Sequence, residues 1–235
     1  MKKVLLAKRL ALGMSLALLA VRPAGAEDAL LQPGITMHLG AGYMQPAGEI
    51  SEIWGGGLAL DAVIGYKPLP WLGLEVGGIY GYTGITERMK NQVYVYYPST
   101  GDYGDRESTG GNFYAWFFGP RLYYQLPGTD WVASLAGGGS YYGEAEAGLD
   151  EIDGYTPRWT FGWGGYAETG LSRYVPLGNM LFSYGLKFRY TFYQAKVNDF
   201  YYDRVFNAMS FDAIPDTYLQ DQRWQVLLDI GFDFY

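Results

Sequence analysis

Little in this sequence can carry covalent chemistry. His38 is the single histidine among 235 residues, and there is no cysteine. A Ser-His-Asp or Cys-His arrangement would rest on one imidazole, and a zinc site would have neither thiolates nor a second histidine. Charged groups are the better material. Asp61, Glu75, Arg121, Glu168, Lys187, Arg189 and Asp229 each stand in a segment that alternates between apolar and polar residues. Four acids and three bases on one face of a sheet can neutralise one another and fill a space, or line a polar path. A second acidic set lies elsewhere. Residues 143–158 hold Glu144, Glu146, Asp150, Glu151 and Asp153 against Arg158, and residues 193–222 hold five aspartates against Lys196 and Arg204. Closely spaced carboxylates suit Ca²⁺, yet LDEIDG lacks the alternate-residue carboxylates of a calcium loop, so neither metal nor cofactor is expected. Tyr94, Tyr96, Tyr97, Tyr103, Tyr155, Tyr201 and Tyr202 lie in the same kind of segment, where tyrosine offers large amphipathic contact area for recognition.

The elements that must position these groups read with period two. Trp224, Val226, Leu228, Ile230, Phe232 and Phe234 are apolar, whereas most residues between them are not. A helix, turning about 100° per residue, would scatter that set around its circumference; a strand puts it on one face. Residues 180–192 repeat the pattern, and 35–44, 56–66, 71–82, 113–124, 131–142 and 159–173 fit it, giving eight strands. Three connections are short and contain proline: 67–70, 125–130 and 174–179. The other four, near 45–55, 83–112, 143–158 and 193–222, are long. Even-stranded antiparallel barrels that cross membranes show this asymmetry, with apolar residues outward and polar ones inward. The sequence therefore predicts an all-β, eight-stranded antiparallel up-and-down transmembrane barrel over 35–235. Trp54, Trp71, Trp131, Trp159 and Trp224 fall near strand ends, where aromatic girdles meet the membrane interfaces.

The first residues read as an export signal. Lys2, Lys3, Lys8 and Arg9 precede an apolar run from Leu10 to Val21 and the small residues Ala24 and Ala26. At about 1.5 Å per residue that run reaches only ~18 Å, short of a ~30 Å hydrocarbon core, so cleavage after Ala26 is expected rather than anchoring. Residues 27–34 would then be a short periplasmic segment. Cleavage removes five positive charges and no negative ones, turning a net −7 into −12. Such a chain does not suit nucleic acid, which needs clustered Lys and Arg. Hydrophobic residues at 49% and aromatic residues at 18% are too many for a disordered chain.

The stretch Gly65 to Gly77, GYKPLPWLGLEVG, resembles the second hairpin of the small outer-membrane β-barrel superfamily, which includes the OmpA, OmpX, OmpW and opacity-type barrels. In that group a GY ends one strand and a short turn leads into a glycine-and-glutamate strand. GLSRYVPLGNMLFSYGLKFRYTF at 170–192 similarly looks like a third hairpin, and HLGAGYMQP at 38–46 looks like the first strand of OmpW-type proteins. The family's terminal aromatic is matched in phase by Phe234, with Tyr235 one residue beyond. The resemblance implies an outer-membrane location, insertion by the β-barrel assembly machinery, a lipid surround and a monomer.

Eight strands enclose room for side chains or one small ligand, so a wide pore is not expected. The expected role is structural, or surface interaction through the acidic, Tyr-rich loops with an extracellular partner. The alternative is a narrow channel for small or hydrophobic molecules, as the OmpW-like first strand implies. An outer-membrane lipid-modifying enzyme comes third. His38 would lie only about 10 Å along a strand that starts on the periplasmic side, far from an outer-leaflet substrate.

Overall fold

The computed structural model describes residues 30–48, 51, 54–86, 94–97, 102–105, 110–147, 159–196 and 218–235. The expected export segment, Tyr155, Tyr201 and Tyr202 lie outside the described residues. Eight strands close into an antiparallel barrel: β1 (Gly34–Ala47), β2 (Trp54–Leu69), β3 (Leu72–Ile85), β6 (Gly110–Gln125), β7 (Trp131–Ala147), β8 (Trp159–Leu177), β9 (Met180–Lys196) and β10 (Tyr218–Phe234). Each pairs with its neighbour along the chain, and β1 meets β10 to close the ring, from Ile35 opposite Phe234 to Ala47 opposite Gln222. Closure leaves no sheet edge, so every strand can satisfy its backbone hydrogen bonds without water.

The three proline-containing connections are short, as the sequence predicts. Gly128 and Gly178 take φ of +69° and +62° in two of them, a conformation that costs a residue with a Cβ. At the opposite end the strands run further than their alternation suggests: β1 continues to Ala47, β3 to Ile85, and β10 begins at Tyr218. The long 83–112 connection also contains a two-stranded sheet, β4 (Tyr94–Tyr97) paired with β5 (Asp102–Asp105). Polar and glycine-rich strand ends hide a period-two signal because there is no lipid there to demand an apolar face.

The outer wall is predominantly apolar. Leu39, Leu60, Ile64, Leu74, Val76, Leu171, Leu186, Leu228 and Ile230 are exposed in a largely aliphatic waist. Towards the short turns the exposed set becomes Tyr66, Tyr124, Trp131, Tyr184, Phe234 and Tyr235; towards the long connections it becomes Tyr43, Tyr114, Trp116, Tyr141, Phe161 and Trp163. A water-soluble protein does not expose so much contiguous apolar surface, while two aromatic bands around an aliphatic waist suit a bilayer with two interfaces.

Candidate functional site

Inward residues are fixed by strand parity and crossed by side chains long enough to reach the opposite wall. Asp61 on β2, Glu75 on β3, Arg121 on β6, Glu168 on β8, Lys187 and Arg189 on β9 and Asp229 on β10 are all buried on the inner face. Arg121 binds Glu75 through Nε at 2.5 Å and Nη2 at 3.1 Å, touches Ser134 at 3.1 Å, and pairs with Glu168 through Nη2. Glu168 Oε2 accepts from Arg189 Nε at 2.6 Å, and Arg189 Nη2 reaches Asp61 at 2.5 Å. The guanidinium of Arg189 also lies 4.4 Å from the centre of the Phe117 ring. Tyr166 completes the arrangement by donating to Glu75 Oε1 at 3.0 Å.

This Glu75–Arg121–Glu168–Arg189–Asp61 series runs across the lumen rather than along its wall. In the closed ring β2 is separated from β9 by β1 and β10, and β3 from β8 by β6 and β7, yet ion pairs and hydrogen bonds join both couples. A smaller group lies beneath it, towards the short turns. Asp229 meets Lys187 Nζ at 2.5 Å and His38 Nδ1 at 3.1 Å, and Lys67 meets Asp233 at 2.5 Å below the Tyr123 ring. Gly231 separates His38 from Ser183 across three strands. A Cβ there would lie 2.5 Å from both His38 Cε1 and Ser183 Oγ, so only glycine leaves space for both.

Towards the long connections the lumen changes character. Met44, Phe113, Phe117, Tyr142, Tyr166 and Tyr193 form a buried apolar cluster with small aliphatic residues, with Tyr142 and Tyr193 ring centres 4.0 Å apart. Arg223 sits over the Phe113 ring at 4.2 Å and takes Asp221 in a two-pronged ion pair, its Nη2 2.7 Å from Oδ2. The alternation predicts a uniformly polar interior; the structure has an ion-paired half and an aromatic half. Aromatic rings suit these inward positions because an eight-stranded barrel encloses little more room than side chains fill.

Lys67, Asp221, Arg223, Gln225 and Asp233 are buried as well, beyond the seven charges expected in the lumen. Arg223 and Asp233 share a phase with Asp229 and were legible by extending the last strand's alternation to both ends. Asp221 reads as an outer-connection acid until β10 is seen to begin at Tyr218. With these, the described interior holds six carboxylates and five Lys or Arg side chains, a near balance that lets each charge find a partner. Among the described residues no group of three or more metal-ligating side chains occurs.

The aromatic assignments divide. Trp131 and Trp224 are exposed on the outer wall, and Trp71 is half-buried at a short turn. The side chain of Trp159, and those of Tyr94, Tyr96, Tyr97 and Tyr103, lie outside the described residues. Trp54 is a correction: it is 2% exposed and packs against Gly111 inside the barrel. An irregularity in the pairing of β2 with β3 between Trp54 and Gly57 flips its phase. Trp54→Ala should therefore cost about 3–5 kcal/mol of folding stability, as for a buried tryptophan. Trp131→Ala should cost several-fold less, with urea unfolding in lipid vesicles as the measurement. Trp116 and Trp163, at 67% and 68% exposure, are the outer-band tryptophans that spacing relative to predicted strand ends does not pick out.

No protein-family model matches the chain, and no curated relative matches it. Solved structures do. The crystal structure of Neisserial surface protein A superposes with a TM-score of 0.51 at 12% identity, covering 86% of this chain and 97% of that one. OprG from Pseudomonas aeruginosa gives 0.48 at 9% identity, covering 88% and 100%. Ail, the attachment invasion locus protein of Yersinia pestis, gives 0.45 at 9%, covering 86% and 100%. At such identities the likeness speaks for the fold. The closed ring of eight antiparallel strands, its apolar outer wall and the first of these superpositions agree: this chain has the fold of the small eight-stranded outer-membrane β-barrels.

Proposed function

We propose that this chain is a monomeric, non-conducting outer-membrane scaffold whose work is done at its outer connections, as a structural or surface-interaction protein. The observation that carries this reading is the transverse ion-pair series from Glu75 to Asp61, roofed by the aromatic cluster. With the lumen filled, the long connections are left to carry the function, and their sequence is acidic and rich in tyrosine. Tyrosine among carboxylates offers contact area with a negative field, which suits an extracellular partner bearing positive charge. The barrel would be exported, inserted by the β-barrel assembly machinery and surrounded by outer-membrane lipid. A catalytic role has little to build on, since His38 is 7% exposed and committed to Asp229 deep in the lumen.

The test is to shorten residues 148–158 and 197–217 to tight turns in cells that display the protein. The barrel should still run as a folded, heat-modifiable species, while attachment of the cells to cultured host cells should fall to background. Undiminished attachment would remove the surface-interaction reading, and arabinose entry into proteoliposomes of the parent protein would favour a conduit instead.

A further inference from the structure

The outer wall is not evenly convex. Ala62 on β2 and Gly78 on β3 stand directly opposite each other and face outward. At this level the neighbouring strands present Leu39 and Trp116. Two near-absent side chains form the floor of a hollow of about 720 Å³ that extends across the wall from Ile230 and Phe232 on β10 to Tyr114 and Trp116 on β6, with Ile64 and Val76 at its lower end and Leu60 and Tyr80 at its upper end. Four residues of strand separate Ile64 from Leu60, about 13 Å at ~3.3 Å per residue. The indole of Trp116 forms one wall, its nearest ring atom 3.4 Å from where a Gly78 Cβ would be. At the upper end Tyr80 carries its hydroxyl to Asn112 at 2.9 Å and packs on Tyr114 with ring centres 5.2 Å apart.

We infer that this hollow is a seat for one acyl chain of an outer-leaflet membrane lipid. The depth fits, because the hollow spans the aliphatic waist and ends at the outer aromatic band. The shape fits as well: the hollow crosses five strands, about 19 Å at ~4.8 Å per strand, a length that takes an extended alkyl chain, while the phenol and amide at its upper end stand where a headgroup would begin. A second copy of the chain is the competing occupant. A stable protein interface needs roughly 800 Å² from each partner with close shape complementarity, and a second convex barrel would seat on the rims at Leu39 and Trp116 and leave the floor at Ala62 and Gly78 uncovered. Burial against a smooth barrel gains an acyl chain no contact beyond its neighbours, whereas here three sides of the chain meet protein.

Native mass spectrometry of the folded full barrel extracted in mild detergent tests this. The parent protein should retain one discrete lipid mass. Ala62→Phe, which fills the hollow, should reduce that species at least tenfold. Ala167→Phe, on the exposed outer face of β8 across the barrel, should leave it unchanged. Heat-modifiable gel mobility reports folding of each variant independently of lipid. Should Ala62→Phe not fold, Trp116→Ala removes the wall and carries the same expectation. Equal lipid retention by all variants, no discrete lipid on the parent, or a parent dimer that Ala62→Phe dissociates would each overturn the proposal.

Discussion

Replacing Arg189 by methionine should lower the unfolding free energy by about 3–5 kcal/mol, the range for breaking a buried pair by removing one partner. Arg189 is fully buried and binds Glu168 and Asp61 at once, with Gln225 at 3.4 Å and the Phe117 face beneath it. Methionine fills much of the same volume, so the loss comes from charge and not from a cavity. Glu168 keeps Arg121, but Asp61 keeps no cation among the described contacts, so its carboxylate should carry most of the cost. Adding Asp61→Asn to the same chain should recover a large part of the stability. Urea unfolding in vesicles followed by tryptophan fluorescence measures both, and a loss under about 1 kcal/mol for the single variant would mean the network does not hold the lumen together.

The second large effect is non-additivity. Glu168 is the link between Arg121 and Arg189, and its two oxygens are divided between them. Glu168→Gln alone should destabilise strongly because two buried guanidiniums lose their shared counter-charge. Combined with Arg189→Met it should cost about 1–3 kcal/mol less than the two single costs together, since residues in one ion-pair network are coupled. Independent costs would show that the two residues act as separate wall decorations.

The barrel and its inner charges were legible in the sequence for one physical reason. A bilayer forces the outward face of every strand to be apolar, so the complementary parity names the lumen, and Lys187, Arg189 and Asp229 fall out of it directly. The same rule fails where the bilayer ends. β1 to Ala47, β10 from Tyr218 and the β4–β5 sheet lie where water tolerates any side chain, so their alternation is faint. Trp54 misleads for a different reason: a local pairing irregularity changes its phase, and nothing in the residue types announces it. Nor does parity say which inner residues touch. That Glu75 reaches Tyr166 on the far wall depends on the curvature of the closed ring, which no single strand encodes. The aromatic half of the lumen escaped because Phe113, Phe117, Tyr142 and Tyr193 lie in segments with large residues on both faces.

Closure of the lumen by the Glu75 to Asp61 series is the central claim, and single-channel recording in a planar bilayer tests it most directly. The folded parent protein should give no discrete openings at high salt, while a variant carrying Glu168→Ala with Arg189→Ala, which removes the middle of the series, should open a small ion path. Regular openings from the parent, unchanged in size by that double replacement, would contradict closure by these residues.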